Sequence, residues 1–169
     1  MEPERPESVM MGSLGATVAT GTVKTNLAEL YEHDFVQWTE ETVRLLRARD
    51  LEDLDIDHLA EEIEDMGKSE RRELASRLLV LVSHLLKWQF QPEKRSPSWR
   101  QTIHLQRRDI KDRLEQSPSL KPRMETLIIK IYPDARTIAA LETGMLEVDL
   151  PSACPFTVEQ ILDAAFLPE

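Results

Sequence analysis

The sequence has few of the residues that small secreted proteins and many metal-binding proteins depend on. Its 169 residues include one cysteine and five glycines. The lone cysteine, Cys154, cannot form a disulfide within the chain, which excludes a disulfide scaffold and a Cys-rich zinc site. An unpaired cysteine is typical of a reducing compartment, so we expect a cytoplasmic protein.

Long apolar runs are missing as well. Charged residues interrupt every stretch that approaches the roughly 18 apolar residues of a membrane-spanning helix, and we expect no membrane span. The chain starts Met-Glu-Pro-Glu-Arg-Pro-Glu, which is acidic where a secretory signal needs a basic start. The sequence leaves open whether translation starts at Met1, Met10 or Met11.

The common catalytic motifs are absent too. The sequence contains no phosphate-cradling glycine loop, no GxSxG and no HExxH. Cys154 has no obvious base near it in sequence and lies between prolines, which favours packing over nucleophilic attack. We expect neither a catalytic residue nor a cofactor from these patterns.

The net charge of −10 is unevenly distributed along the chain. Residues 28–70 carry a net −11, residues 71–130 a net +8 and residues 131–169 a net −6. Two interpretations remain open: the acidic and basic regions neutralise each other across helix contacts, or the basic region meets an external anion. Neutralisation is the usual fate of such runs.

Composition and length indicate one domain after a disordered tail. Residues 1–25 contain proline, glycine, threonine and serine without a sustained apolar period, and we expect them to be a disordered tail. The rest is of ordinary single-domain length, so we expect a single helical domain over residues 26–168.

Apolar residues at helical spacing dominate residues 26–168. Asn26 followed by Glu29 starts a first helical region that extends to about Arg49 in one or two pieces. Leu59, Ile63 and Met66 predict an apolar stripe on a short helix that Gly67 ends or kinks. The run LLVLVSHLL at residues 78–86 is apolar on nearly every side, as in a central helix.

Capping signals predict the remaining helices. Ser98 with Gln101 starts one, Ser117 with Pro118 starts another that Pro133 breaks or kinks and Gly144 ends, and Thr157 with Gln160 starts the last. Only residues 146–150 alternate as a strand would. The sequence therefore predicts an all-α fold, an irregular bundle of about six helices around a central apolar helix.

Several ordered motifs resemble a known family. They are LYEHDF, LDIDHLAEEIEDMGKSERREL, HLLKWQFQPEKRS, SWRQTI, SPSL, ETG and CPFTVEQIL. Together they cover roughly residues 27–167, and the chain closely resembles the bacterial family catalogued as domain of unknown function 29. The resemblance implies an all-helical fold and a bacterial source. The family's activity is unassigned, so no catalytic residue carries over.

Acidic and histidine side chains form one group of candidate binding residues. His58, Glu61, Glu62 and Asp65 share one helix face, and oxygen-rich clusters suit hard cations. His84 lies in the most apolar helix, where it is either a ligand, a general base or a satisfied core residue. Glu61, Glu62 and His84 are therefore candidates for a metal-dependent site, with a solvated or arginine-paired acidic face as the alternative.

Aromatic and basic side chains form a second group. Trp88 and Trp99 either stack a planar ligand or anchor two helices. Arg100, His104, Arg107 and Lys111 recur at helical spacing along one edge, which we call the basic row. The row either contacts phosphates or pairs with acids, and we hypothesise that Glu61 and Glu62 pair with Arg100 or Arg107. The acidic total and the lack of nucleic-acid motifs make nucleic acid an unlikely partner.

Two function classes follow from these candidates. We expect a non-enzymatic module that binds a protein partner or forms a homo-oligomer, because the charge is divided and catalytic motifs are lacking. The alternative is a metal-dependent enzyme acting on a phosphate-containing or nucleic-acid substrate through Glu61, Glu62 and His84.

Overall fold

The computed structural model describes residues 26–169, and the predicted tail at residues 1–25 lies outside the described part. Six α-helices and no strand occur among the described residues, which confirms the all-α prediction. The helices are α1 (Leu27–His33), α2 (Phe35–Ala48), α3 (Ile56–Phe90), α4 (Pro97–Gln116), α5 (Met124–Thr143) and α6 (Val158–Leu162). Short 3-10 turns lie at Pro92–Lys94, Pro118–Arg123 and Glu147–Asp149.

Contacts group the described residues into two compact units, residues 26–58 and residues 59–169. The expectation of one domain over residues 26–168 stays a prediction. None of the helices in the described part is long and apolar enough to cross a membrane.

The first unit contains α1, α2 and the first turn of α3. Asn26 caps α1 by accepting from the backbone N–H of Glu29, as predicted. Asp34 then ends α1 and caps α2 through Gln37, so the first helical region is indeed in two pieces. Trp38 and Leu45 are buried on one face of α2. Arg49 ends the helix in the left-handed conformation, with φ 59°.

The second unit is built around the apolar run of α3. Every side chain from Leu81 to Leu86 except His84 is at most 1% exposed. Burying each leucine contributes roughly 2 kcal/mol, which explains why this run occupies the centre. The buried faces of α4 and α5 join the same core, together with Phe156 and Ile161 beside α6. The predicted central helix is confirmed.

Ion pairs fix α3 and α4 in an antiparallel register. Arg77 pairs with Asp109 at 2.5 Å, and Arg113 contacts Glu70 at 2.9 Å and Glu73 at 3.3 Å. Since α4 continues for three residues beyond Arg113, to Gln116, the α3 residues before about Gly67 extend past that end. We call α3 residues 59–69 the α3 projection.

The projection corrects one sequence prediction and shows where the apolar stripe lies. Gly67 neither ends nor interrupts the helix, because an internal glycine costs only about 1 kcal/mol and Lys68 pairs with Asp65 at 2.7 Å across this turn. The stripe of Ile63 and Met66 does not face the core: the two side chains are 61% and 70% exposed. By the register of the ion pairs, both positions lie beyond the end of α4.

Other element boundaries in the structure differ from those that the sequence predicts. Ser96 rather than Ser98 caps α4, with Pro97 at the first helical position. Ser117 and Pro118 introduce a 3-10 turn before α5, and α5 runs through Pro133. The alternating residues 146–150 contain a 3-10 turn instead of a strand. The left-handed cap at Gly144 (φ 77°) and the Thr157–Gln160 capping box are confirmed.

Candidate functional site

The C-terminal end of α3 holds a buried cation that the sequence analysis missed. Lys87 is 3% exposed, yet its ammonium donates to the carboxylate of Glu142 on α5. It also lies 3.2 Å from Nε2 of His84 and 5.0 Å from the centroid of the Trp99 ring. A lysine directly after the apolar run of residues 78–86 predicts such a compensated charge, because an unpaired buried ammonium is costly.

His84 belongs to this network. Its Nδ1 lies 2.9 Å from the carbonyl oxygen of Val80, so Nδ1 carries the proton and Nε2 accepts from Lys87. Burial lowers the pKa of His84, and the positive charge of Lys87 lowers it further. A neutral histidine with both ring nitrogens occupied matches the satisfied core residue among the predicted alternatives.

The two tryptophans that are candidate binding residues contact basic side chains of the protein itself. The guanidinium groups of Arg95 and Arg100 lie 5.2 Å and 5.5 Å from the centroid of the Trp88 ring. Trp88 is 7% exposed and Trp99 is half-buried in the core. Cation–π contacts at both rings favour the anchoring interpretation over stacking of a planar ligand.

Several basic side chains satisfy carbonyl groups at helix ends. Lys94 donates to the carbonyl of Thr143 at the end of α5, and Arg95 donates to that of Trp88 near the end of α3. Arg107, 5% exposed, donates to the carbonyls of Ile161 and Gln160 in α6. The last carbonyls of a helix lack intrahelical donors and carry partial negative charge, so cations stabilise them.

These contacts revise the hypothesis on charge pairing. Acidic and basic regions do pair across α3 and α4, but through Glu70, Glu73 and Arg113. Arg107 is bound to carbonyl groups of α6 and Arg100 lies over the ring of Trp88, so both side chains have contacts other than the hypothesised ones. Neutralisation therefore accounts for part of the basic region, and helix capping for another part.

The remaining basic row lines a groove beside α4. One cavity of about 450 Å³ and another of about 520 Å³ share His104, Arg107 and Ala164, so they form one continuous groove. The exposed side chains of Arg108, Lys111 and Lys121 lie along it, while Leu114 and Leu162 supply apolar lining. We call this the α4 groove. The structure thus brings Arg100, His104, Arg107 and Lys111 together, as their spacing predicts.

The acidic and histidine candidates are not brought together. Glu62 and His84 are 22 positions apart on the single helix α3, which corresponds to about 33 Å. Among residues 26–169, no group of three or more His, Cys, Asp and Glu side chains is arranged to hold a metal ion. A site using Glu61, Glu62 and His84 at once does not form in this structure.

A further cavity, of about 490 Å³, lies between α5 and the start of α6 and includes Cys154 and Tyr132. Burial raises the pKa of the Cys154 thiol, which donates to the carbonyl of Phe156. Burial also raises the pKa of Tyr132 to about 12, and its hydroxyl donates to the carbonyl of Pro151. Both groups stay protonated at neutral pH, so the thiol is a poor nucleophile here.

Comparison with known proteins identifies the family and no individual relative. Searches of curated proteins and of solved structures found no match. The family model described as "Domain of unknown function DUF29" matches residues 30–167, which is most of the chain. The chain therefore belongs to the DUF29 family.

Proposed function

We propose that this protein is a non-enzymatic interaction module and that the α3 projection is its binding surface. The observation that supports this proposal is the exposure of Ile63 and Met66 on a stripe that also contains Leu59. Apolar residues at alternating spacings of three and four are the pattern by which helices pack against one another. An exposed stripe of this kind marks a contact with another protein.

The charge around the stripe defines the partner's chemistry. Residues 59–69 contain four acidic side chains and one basic side chain, Lys68, which pairs with Asp65 at 2.7 Å. Of these, Glu61, Glu64 and Asp65 are exposed on the projection. An amphipathic helix with an apolar face and basic flanks complements both features, since opposite charges at the edges of a helix pair select the partner.

The positions of the other candidates support a binding role over catalysis. The alternative, a metal-dependent enzyme, needs Glu61, Glu62 and His84 in one cavity. Helix α3 instead holds Glu62 about 33 Å from His84. His84 and Lys87 are instead engaged with each other and with Val80 and Glu142. As part of the same proposal, the module works in the bacterial cytoplasm, where the unpaired thiol of Cys154 stays reduced.

Affinity capture with paired variants tests the proposal. The double variant Ile63→Gln/Met66→Gln removes the stripe while keeping good helix formers. Leu141→Gln is the matched control, because Leu141 is a 78% exposed apolar residue on α5. We expect the wild type and the control to retain a protein that the double variant loses.

The captured protein must then be identified by mass spectrometry and purified. Titration calorimetry with the purified pair should show affinity at least about tenfold weaker for the double variant than for the control, a difference of about 1.4 kcal/mol. If all three forms capture the same proteins with equal affinity, the projection is not the binding surface and the proposal is wrong.

A further inference from the structure

The α4 groove has the chemistry that the α3 projection requires of a partner. Its lining combines the apolar side chains of Leu114 and Leu162 with the basic side chains of Arg108, Lys111 and Lys121. The projection combines the apolar side chains of Ile63 and Met66 with exposed acidic side chains, so its charge is opposite to that of the groove. We propose that the α4 groove of one copy binds the α3 projection of a second copy. This inference rests on the proposed function, because it names the partner of the same surface.

Among residues 26–169, only part of the basic charge of the groove is paired. Arg107 is committed to the carbonyls of α6, and Arg108 pairs with Asp109. Lys111 is 76% exposed and has only a long 3.9 Å contact with Glu115, the one acid in the groove lining. Such exposed pairs are weak, so incoming carboxylates can replace them at little cost.

The lengths of the two surfaces match. Residues 59–69 of α3 form a helical segment about 15 Å long at 1.5 Å per residue. The basic row from Arg100 to Lys111 extends about 16 Å along α4 by the same measure. A helical segment laid along the groove can therefore contact the row over its whole length.

The same copy cannot supply the segment. The pairs of Arg113 with Glu70 and Glu73 hold α3 and α4 in a register in which residues 59–66 lie beyond the end of α4. The groove lies beside the body of α4, along Arg100–Lys111. The contact is therefore intermolecular and joins unlike surfaces, which permits a closed dimer, a ring or a longer assembly.

Reciprocal charge reversal provides the test. Variant A is Glu61→Lys/Glu64→Lys on the projection, and variant B is Arg108→Glu/Lys111→Glu in the groove. The control is Arg123→Glu/Lys130→Glu, which makes the same charge change at exposed positions outside the groove. Circular dichroism and thermal melting check that each variant is folded.

Sedimentation velocity measures how strongly the copies associate. At about 50 mM salt we expect the wild type and the control to associate, and at about 500 mM salt we expect at least tenfold weaker association. A and B alone should each stay monomeric, since like charges then face each other. Mixed in equal amounts they should associate again, because each reversed surface meets an opposite charge in the other variant.

Three outcomes would overturn the inference: a wild type that stays monomeric up to about 200 μM, variants that still associate, or an A and B mixture that does not. A monomeric wild type whose groove binds single-stranded RNA in fluorescence anisotropy, with loss in variant B, would assign the groove to nucleic acid instead. The two proposals fail separately: if the wild type is monomeric but loses a captured protein on changing Ile63 and Met66, this inference is wrong and the proposed function stands.

Discussion

Replacing Glu142 with glutamine removes the carboxylate that is bound to the buried ammonium of Lys87. Removing one partner of a fully buried ion pair costs about 3–5 kcal/mol, because the other charge stays buried without compensation. The side chain of Glu142 is 50% exposed, so water screens this pair. We therefore expect Glu142→Gln to lower the free energy of unfolding by about 2 kcal/mol.

Replacing Lys87 with methionine has a smaller expected cost. Methionine keeps most of the buried volume and removes the charge, so no uncompensated ammonium remains. Glu142 can then be solvated, and the loss is mainly the hydrogen bond to Nε2 of His84, about 1 kcal/mol. In the Lys87→Met background, Glu142→Gln should cost almost nothing further.

Urea unfolding of the two single variants and the double variant measures the coupling. A Trp38→Phe background restricts tryptophan fluorescence to Trp88 and Trp99, which both lie in the unit of residues 59–169. Glu125→Gln, an exposed carboxylate on the same helix, is the control and should change stability by less than about 0.5 kcal/mol. If Glu142→Gln lowers the free energy of unfolding by the same amount in the wild-type and the Lys87→Met backgrounds, the reasoning is wrong.

Three further predictions concern single positions. Gly67→Ala should raise the free energy of unfolding by up to about 1 kcal/mol in denaturant titrations, since the nearest described atom to a Cβ there is an Arg71 side-chain nitrogen at an ordinary contact distance of 3.6 Å. Destabilisation would contradict the observed continuous helix. Gly144→Ala should cost about 1 kcal/mol because φ is 77°, and an unchanged melting temperature would refute that. The pKa of His84 is lowered in the folded state, so as the pH falls the unfolded chain binds a proton at this histidine before the folded chain does. The free energy of unfolding should therefore fall by at most about 1.4 kcal/mol per pH unit below about pH 6.5. His84→Gln should reduce that slope, and an unchanged slope would show that another group titrates.

Local signals in the sequence predicted much of the fold. The side-chain caps at Asn26 and Thr157 and the left-handed glycine at Gly144 depend on residues within three positions of each other. The apolar run of α3 predicted the core because no helix face of that run offers water a polar surface. Such features are local and therefore readable from one sequence.

The candidate site was less predictable because it depends on which helices meet and in what register. The stripe of Ile63 and Met66 has the spacing of a core face, and only the register of α3 against α4 shows that it is exposed. The distance between Glu62 and His84 depends on whether the helix continues through Gly67, where local propensity is ambiguous. Arg107 reads as a binding residue in sequence, but its partners are carbonyl groups 53 and 54 positions away.

The most direct test of the interaction surface is photo-crosslinking from within it. A photoreactive phenylalanine placed at Ile63, with Leu141 as the control position, reports which protein touches each site in the native cells. We predict one discrete adduct from position 63 and none from position 141, with a second copy of this chain in the adduct if the α4 groove is the partner. No adduct from position 63, or the same adducts from both positions, would contradict the account.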